Sequence, residues 1–124
     1  MKLKNNLAFM SIIKEYETKY GQPYTPDQLE ELKLGYDHDV NILLYANPRY
    51  SSYEMQEIRI GLENNVNVSK YAYINFNCLQ MREIRLGLEC GIDVSEYAKS
   101  RLSYLMMREV RERLEARRFS KQSG

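Results

Sequence analysis

Two cysteines, one histidine and no cluster among them leave this chain of 124 residues without the usual means of building a zinc site or a disulfide framework. Cys78 and Cys90 lack metal-ligand spacing, His38 has no second histidine to work with, and both thiols are expected to be reduced. No stretch approaches the ~20 consecutive apolar residues of a membrane span. The apolar run from Leu7 to Ile13 is short for a secretory signal, and Lys14-Glu15-Tyr16-Glu17 follows it in place of a small-residue cleavage site. A cytoplasmic location is therefore expected. A glycine-rich phosphate loop is also missing. The pattern predicts no enzyme, no cofactor and no metal.

Net charge is nearly absent as well. A total of +1 argues against a protein held to nucleic acid by bulk charge. The distribution is uneven, however: residues 1–24 carry +2, residues 25–100 carry −5 and residues 101–124 carry +4.

What the chain does have is a repeated phrase. Met81-Arg82-Glu83-Ile84-Arg85-Leu86-Gly87-Leu88-Glu89 is nearly the text of Met55 to Glu63, and a looser copy runs from Leu29 to Asp37. Met107-Arg108-Glu109-Val110-Arg111 starts it again and then departs. A constant offset of 26 residues without insertions predicts a stacked repeat architecture.

Start and stop signals repeat with the phrase. Thr25 with Gln28, Ser51 with Glu54, and Asn77 with Gln80 spell capping boxes, and Pro26 suits the first turn of a helix. Ser103 keeps the cap without the box. Asp39, Asn65 and Gly91 stand where a left-handed residue would end each helix. Glycine inside a helix costs ~1 kcal/mol relative to alanine. Its recurrence at Gly35, Gly61 and Gly87 therefore predicts a close approach by the next element.

Short helices are expected near 67–73 and 93–98, with Tyr45, Tyr71 and Tyr97 packed. Tyr24, Tyr50, Phe76 and Leu102 are expected to fill the seam between copies. On a helical projection Met81, Ile84 and Leu88 share one arc, and Leu79, Leu86 and Cys90 share an opposed one. Two stripes predict a helix covered on both sides. Leu7, Met10, Ile13 and Tyr20 mark one side of a helix over residues 5–20.

The resulting expectation is an all-α fold, a short α-solenoid of three helix–turn–short-helix repeats at 25–50, 51–76 and 77–102. Residues 1–24 and 103–119 would supply the terminal capping helices, and 120–124 a polar tail. The leucine-rich alternative fails because Asp37, Glu63 and Glu89 occupy the position that needs Asn or Cys.

Recurring Glu57/Arg59 and Glu83/Arg85 pairs lie two apart, so they do not face each other on a helix. Stacking would instead set them in exposed rows, each pair contributing ~0–1 kcal/mol.

The phrase resembles a tandem repeat of roughly this length, QMxEIRLGLExGxDVSxYA, in uncharacterised proteins of Gram-positive bacteria and their mobile elements. Gln80-Met81, Glu83 to Glu89, Gly91, Asp93-Val94-Ser95 and Tyr97-Ala98 carry the likeness. It covers about residues 25–115 and implies no reaction, cofactor or catalytic residue.

With chemistry missing, a non-enzymatic protein–protein interaction module is the leading expectation. Arg49, Tyr73, Asn75 and Arg101 on the connections are the candidate contact residues. The alternative is nucleic-acid binding through the C-terminal helix, with Arg113, Arg117 and Arg118 on phosphates and Tyr104 or Phe119 stacking on bases. Self-association, the basic end of one molecule meeting the acidic middle of another, is a third possibility.

Overall fold

Capping chemistry sets the boundaries of the helices. The computed structural model describes residues 2–123, with side chains described from 6 to 120. Its regular structure is α1 (Lys2–Tyr20), α2 (Pro26–Asp37), α3 (Ser52–Glu63), α4 (Cys78–Glu89) and α5 (Tyr104–Ser123). Among the described residues there is no strand. Each of α2, α3 and α4 begins directly after the N-cap residue of its capping box. The side chains of Thr25, Ser51 and Asn77 accept from the N–H of Gln28, Glu54 and Gln80, and those residues accept the cap N–H in return at 2.8, 2.7 and 2.9 Å. At α5 the Ser103 hydroxyl accepts from the N–H of Met106 at 3.2 Å with no reciprocal bond.

The helix ends also fall where the residue types allow. Asp39 and Asn65 both have φ of 60° and Gly91 has φ of 74°. These are left-handed positions that Gly, Asn and Asp occupy most readily. The chain then folds back, and Val40, Val66 and Ile92 donate their N–H to the carbonyls of Gly35, Gly61 and Gly87 at 3.0–3.1 Å.

The short second helices are shorter than their pattern suggests. They are single 3₁₀ turns, Ile42–Leu44, Val68–Lys70 and Val94–Glu96, capped by the side chains of Asn41, Asn67 and Asp93. Helical geometry stops at the next residue because a tyrosine turns inward there. Tyr45, Tyr71 and Tyr97 are fully buried, and their hydroxyls donate to the carbonyls of Glu31, Glu57 and Glu83 at 2.7, 2.6 and 2.7 Å. Each hydroxyl lies over the repeated glycine. A Cβ on Gly35, Gly61 or Gly87 would stand 2.0–2.1 Å from that oxygen. The close approach is real, and the approaching group is the tyrosine ten residues further on in the same copy. Burial pushes all three phenols well above their ordinary range.

Consecutive long helices pack side by side, α2 on α3, α3 on α4 and α4 on α5. Leu32, Met55, Ile58, Met81, Ile84 and Met107 are fully buried between them. Tyr24, Tyr50 and Phe76 join this core and Leu102 packs against its edge.

Three expectations need correction. The opposed stripe of α4 is not covered: Leu79 and Cys90 are exposed and Leu86 is half-buried. Gln80, Glu83 and Arg85 are buried in its place. In α1 the buried residues are Phe9 and Ile13, with Ile12 and Tyr16 packed beside them, whereas Leu7 and Met10 face outward. The spacing i, i+3, i+4, i+7 from Phe9 is the better helical face. Finally, α5 continues through Ser123, beyond the residue 119 at which a tail was expected. Gly124, the last residue of that expected tail, lies outside the described residues.

The buried capping glutamines serve two ends of a copy. Gln28 Nε2 donates to the carbonyls of Pro48 and Tyr50, and Gln80 Nε2 to those of Ser100 and Leu102, at 2.7–3.0 Å. A cap at the start of the helix thereby also fixes the connection at the end of its own copy. Glu54, in the middle copy, has no side-chain N–H to offer.

Candidate functional site

The glutamate–arginine rows are inside the molecule, not in solvent. Arg59 donates from Nε to Glu31 at 2.7 Å on the preceding helix and from Nη1 to Glu63 at 2.8 Å on its own. Arg85 repeats this with Glu57 and Glu89, both at 2.8 Å, and Arg111 with Glu83 at 3.0 Å and Glu115 at 2.8 Å. The arginine side chains are only 10–14% exposed and Glu83 only 2%. Arginine suits this place because its planar fork satisfies two carboxylates at once. Burial disfavours the charged guanidinium, but the hydrogen bonds it donates to the glutamates outweigh this and hold each arginine protonated. The first copy has no earlier helix of the same kind before it and carries Lys33, paired with Asp37 at 2.6 Å.

The rungs extend to the helix ends. His38 Nδ1 lies 2.7 Å from Glu63, and Asn64 Nδ2 donates to Glu89 at 2.7 Å. Burial alone would raise the Glu63 carboxyl, yet the hydrogen bonds from His38 and Arg59 hold it below its usual range. These contacts join C-terminal ends of neighbouring helices, so the long helices run parallel.

Reactive groups are not assembled by this arrangement. His38 and Glu63 border an open hollow of about 470 Å³ with Asp39, Val40, Asn41, Leu62 and Asn65, a lining that holds no thiol or hydroxyl. Cys78 and Cys90 are free thiols, and both are pushed upward, away from the reactive thiolate, Cys78 by burial and exposed Cys90 by its slight desolvation together with the Glu115 carboxylate. No group of three or more His, Cys, Asp or Glu is placed to hold a metal among the described residues. No helix among them is long and apolar enough to cross a membrane.

Arg49, Tyr73, Asn75 and Arg101 are all exposed on the connections. Arg49, Asn75 and Arg101 occupy one register position in successive copies. Tyr73 leans on Phe76, with ring centroids 6.5 Å apart, and borders a hollow of about 250 Å³ with Leu44, Asn67, Val68, Ser69 and Ala72. Leu43 and Leu44, also exposed there, were not among the expected contact residues. Their signal was available: leucines stand where later copies have Ser69-Lys70 and Ser95-Glu96.

The C-terminal arginines are partly committed to holding α5 in place. Arg113 pairs with Glu96 at 2.9 Å, and Arg118 donates to the Gly91 carbonyl at 3.1 Å. Arg117 is exposed. Tyr104 is half-buried under Arg108, whose guanidinium sits 5.6 Å from the ring centroid.

Another surface is less anticipated. On the outward side of the long helices, Tyr53, Leu79 and Leu105 are exposed at one register position. Leu34, Ile60 and Leu86 are half-buried at another.

Comparison of the chain with protein families, with curated proteins and with solved structures gives no match.

Proposed function

We propose that this chain is a non-enzymatic protein–protein interaction module, built as a short α-solenoid in which α1 and α5 cover the ends of the repeats. One contrast carries the reading. Inward positions are held constant from copy to copy, as with the Tyr–Gly contacts and the Glu–Arg–Glu rungs. Positions on the connections vary, from half-buried Asn47 to exposed Tyr73 and Lys99 and, all exposed, from Arg49 to Asn75 to Arg101. A stack with a fixed interior and a variable rim is how repeat proteins present binding surfaces. The contact surface in this reading is the connection edge, where tyrosine and arginine supply the residue types most often found as interface anchors. A cytoplasmic setting accords with two reduced cysteines.

Nucleic-acid binding by α5 is disfavoured because Arg113 and Arg118 are engaged within the molecule and Glu109, Glu112 and Glu115 are interleaved. The test uses the parent chain as bait, compared with a Tyr73→Ala/Arg101→Ala variant and an Arg113→Gln/Arg117→Gln/Arg118→Gln variant. The first variant is expected to lose specific protein capture while keeping the parental circular dichroism, and the second to retain it. Tight, salt-sensitive binding of oligonucleotides by the parent, abolished in the triple variant, would replace this reading with the nucleic-acid one.

A further inference from the structure

The outward face of the four parallel helices has an ordered composition. Positions i, i+3 and i+7 of each helix fall within an arc of ~60°. They read Asp27, Glu30, Leu34 in α2; Tyr53, Gln56, Ile60 in α3; Leu79, Arg82, Leu86 in α4; and Leu105, Arg108, Glu112 in α5. Across the stack the middle position runs from acidic to neutral to basic: Glu30, Gln56, Arg82, Arg108. The other two rows put apolar side chains at the centre. There Tyr53 is 69% exposed and Leu79 43%, while Leu105, 57% exposed, lies at the α5 edge. Three large apolar side chains exposed at one register position on adjacent helices, beside a half-buried apolar row, mark a surface suited to a partner.

We propose that two copies of this chain pair face to face through these helices, about a two-fold axis running parallel to them. The operation lays α2 on α5 of the partner subunit and α3 on its α4, with residues kept in register along the helices. Glu30 then meets Arg108 of the partner subunit, and Gln56 meets the partner's Arg82. Tyr53 packs on the partner's Leu79, and Ile60 on the partner's Leu86. Both halves of an isologous interface come from one surface, so the surface must be complementary to its own reversed copy. The graded row meets that condition, since reversing it brings acid to base at each end.

The acidic half also carries an open hollow. Asp27, Glu30, Glu31, Ser52, Tyr53 and Gln56 line a hollow of about 240 Å³ between α2 and α3. Arg82, at the basic half, is exposed and makes no ion pair among the described residues. Arg108 reaches Glu83 only at 3.5 Å, and its side chain stays 44% exposed. Glu112 falls opposite the partner's Leu34 at the margin, where it remains in water.

Size permits the arrangement. The shared helix length of 12 residues spans about 18 Å, and four helices at about 10 Å spacing extend about 40 Å. The resulting footprint of about 700 Å² is close to the ~800 Å² per partner of ordinary stable interfaces.

Sedimentation velocity on the full chain over a wide concentration range tests the proposal, with circular dichroism as the fold control. The parent is expected to be a dimer, and Leu79→Glu a monomer with unchanged helicity. Gln56→Arg should weaken association about tenfold or more by opposing the partner's Arg82. Gln56→Arg combined with Arg82→Glu in the same chain should restore the dimer. If Leu79→Glu fails to fold, the charge-exchange variants decide alone. A parent that stays monomeric gives this face to some other partner and overturns the proposal. So does a dimer indifferent to the substitutions, an open-ended oligomer, or a failure of the double exchange to rescue.

Discussion

Replacing Arg85 with methionine should destabilise the protein by about 3–5 kcal/mol, the range seen when one partner of a buried ion pair is removed. Among the described residues Arg85 is the only cation that reaches Glu57, and it shares Glu89 with the amide of Asn64. Methionine fills similar volume but leaves two carboxylates facing each other in a seam where the Glu57 side chain is only 13% exposed. A domain of this size has about 5–15 kcal/mol of total stability, so the loss is a large share of the whole. Removing the opposite charge as well should recover much of it. Glu57→Leu in the Arg85→Met background replaces a broken pair with an apolar one, and such replacements are often neutral. Urea denaturation of the parent, both single variants and the double variant checks this. A loss below about 1 kcal/mol for Arg85→Met would mean that the rung behaves as an ordinary surface ion pair.

The second large effect is a reversal of sign. Gly61→Ala lies inside α3, where helix propensity alone predicts a gain of ~1 kcal/mol. We expect a loss of about 2–4 kcal/mol, from overpacking together with the hydrogen bond it displaces. The new Cβ would stand 2.1 Å from the Tyr71 hydroxyl and 2.9 Å from Val68 Cγ1, and both of those side chains are buried. The hydroxyl would have to leave the Glu57 carbonyl, burying an unsatisfied donor. Tyr71→Phe removes the clashing oxygen at the price of that bond, so the two substitutions should couple. Gly61→Ala should therefore be considerably less damaging in the Tyr71→Phe background, which a double-mutant cycle by thermal melting measures. Additive losses would show that the glycine is kept for another reason.

Much of this geometry was legible because it is local. The caps at Thr25, Ser51 and Asn77, the left-handed positions at Asp39, Asn65 and Gly91, and the tight approach to the glycines follow from residue types a few positions apart. The rungs were not legible in the same way. Arg85 meets Glu57 across 28 residues, two more than the period, and a helical projection of one copy cannot show which polar side chain faces a neighbour. Projection also treats polar as exposed. It therefore assigned the buried second side of α4 to Leu79, Leu86 and Cys90, while the seam is filled by Glu83 and Arg85. The candidate surfaces divided similarly. Exposure of Arg49, Tyr73, Asn75 and Arg101 follows from their place on connections. The use of Arg113 and Arg118 as ties to Glu96 and Gly91 depends on how α5 lies against the preceding turn, and that packing has no local signal.

Deleting residues 51–76, one whole period, tests most directly whether the chain is a stack of interchangeable units. The rungs and caps that span the deletion then have equivalent partners to replace them. Glu31 takes the place of Glu57 as the rung acceptor for Arg85, at the same separation of 28 residues in the shortened chain. Asn77 follows Tyr50 directly and caps α4 as before. A stack predicts a helical chain with one cooperative thermal transition, at lower Tm because one unit and one interface are gone. Deleting residues 64–76 alone, half a period, joins α3 directly to α4, removes Tyr71 and leaves two parallel helices no connection between them. That chain should show no cooperative transition. Loss of cooperative folding in both deletions alike would contradict the account.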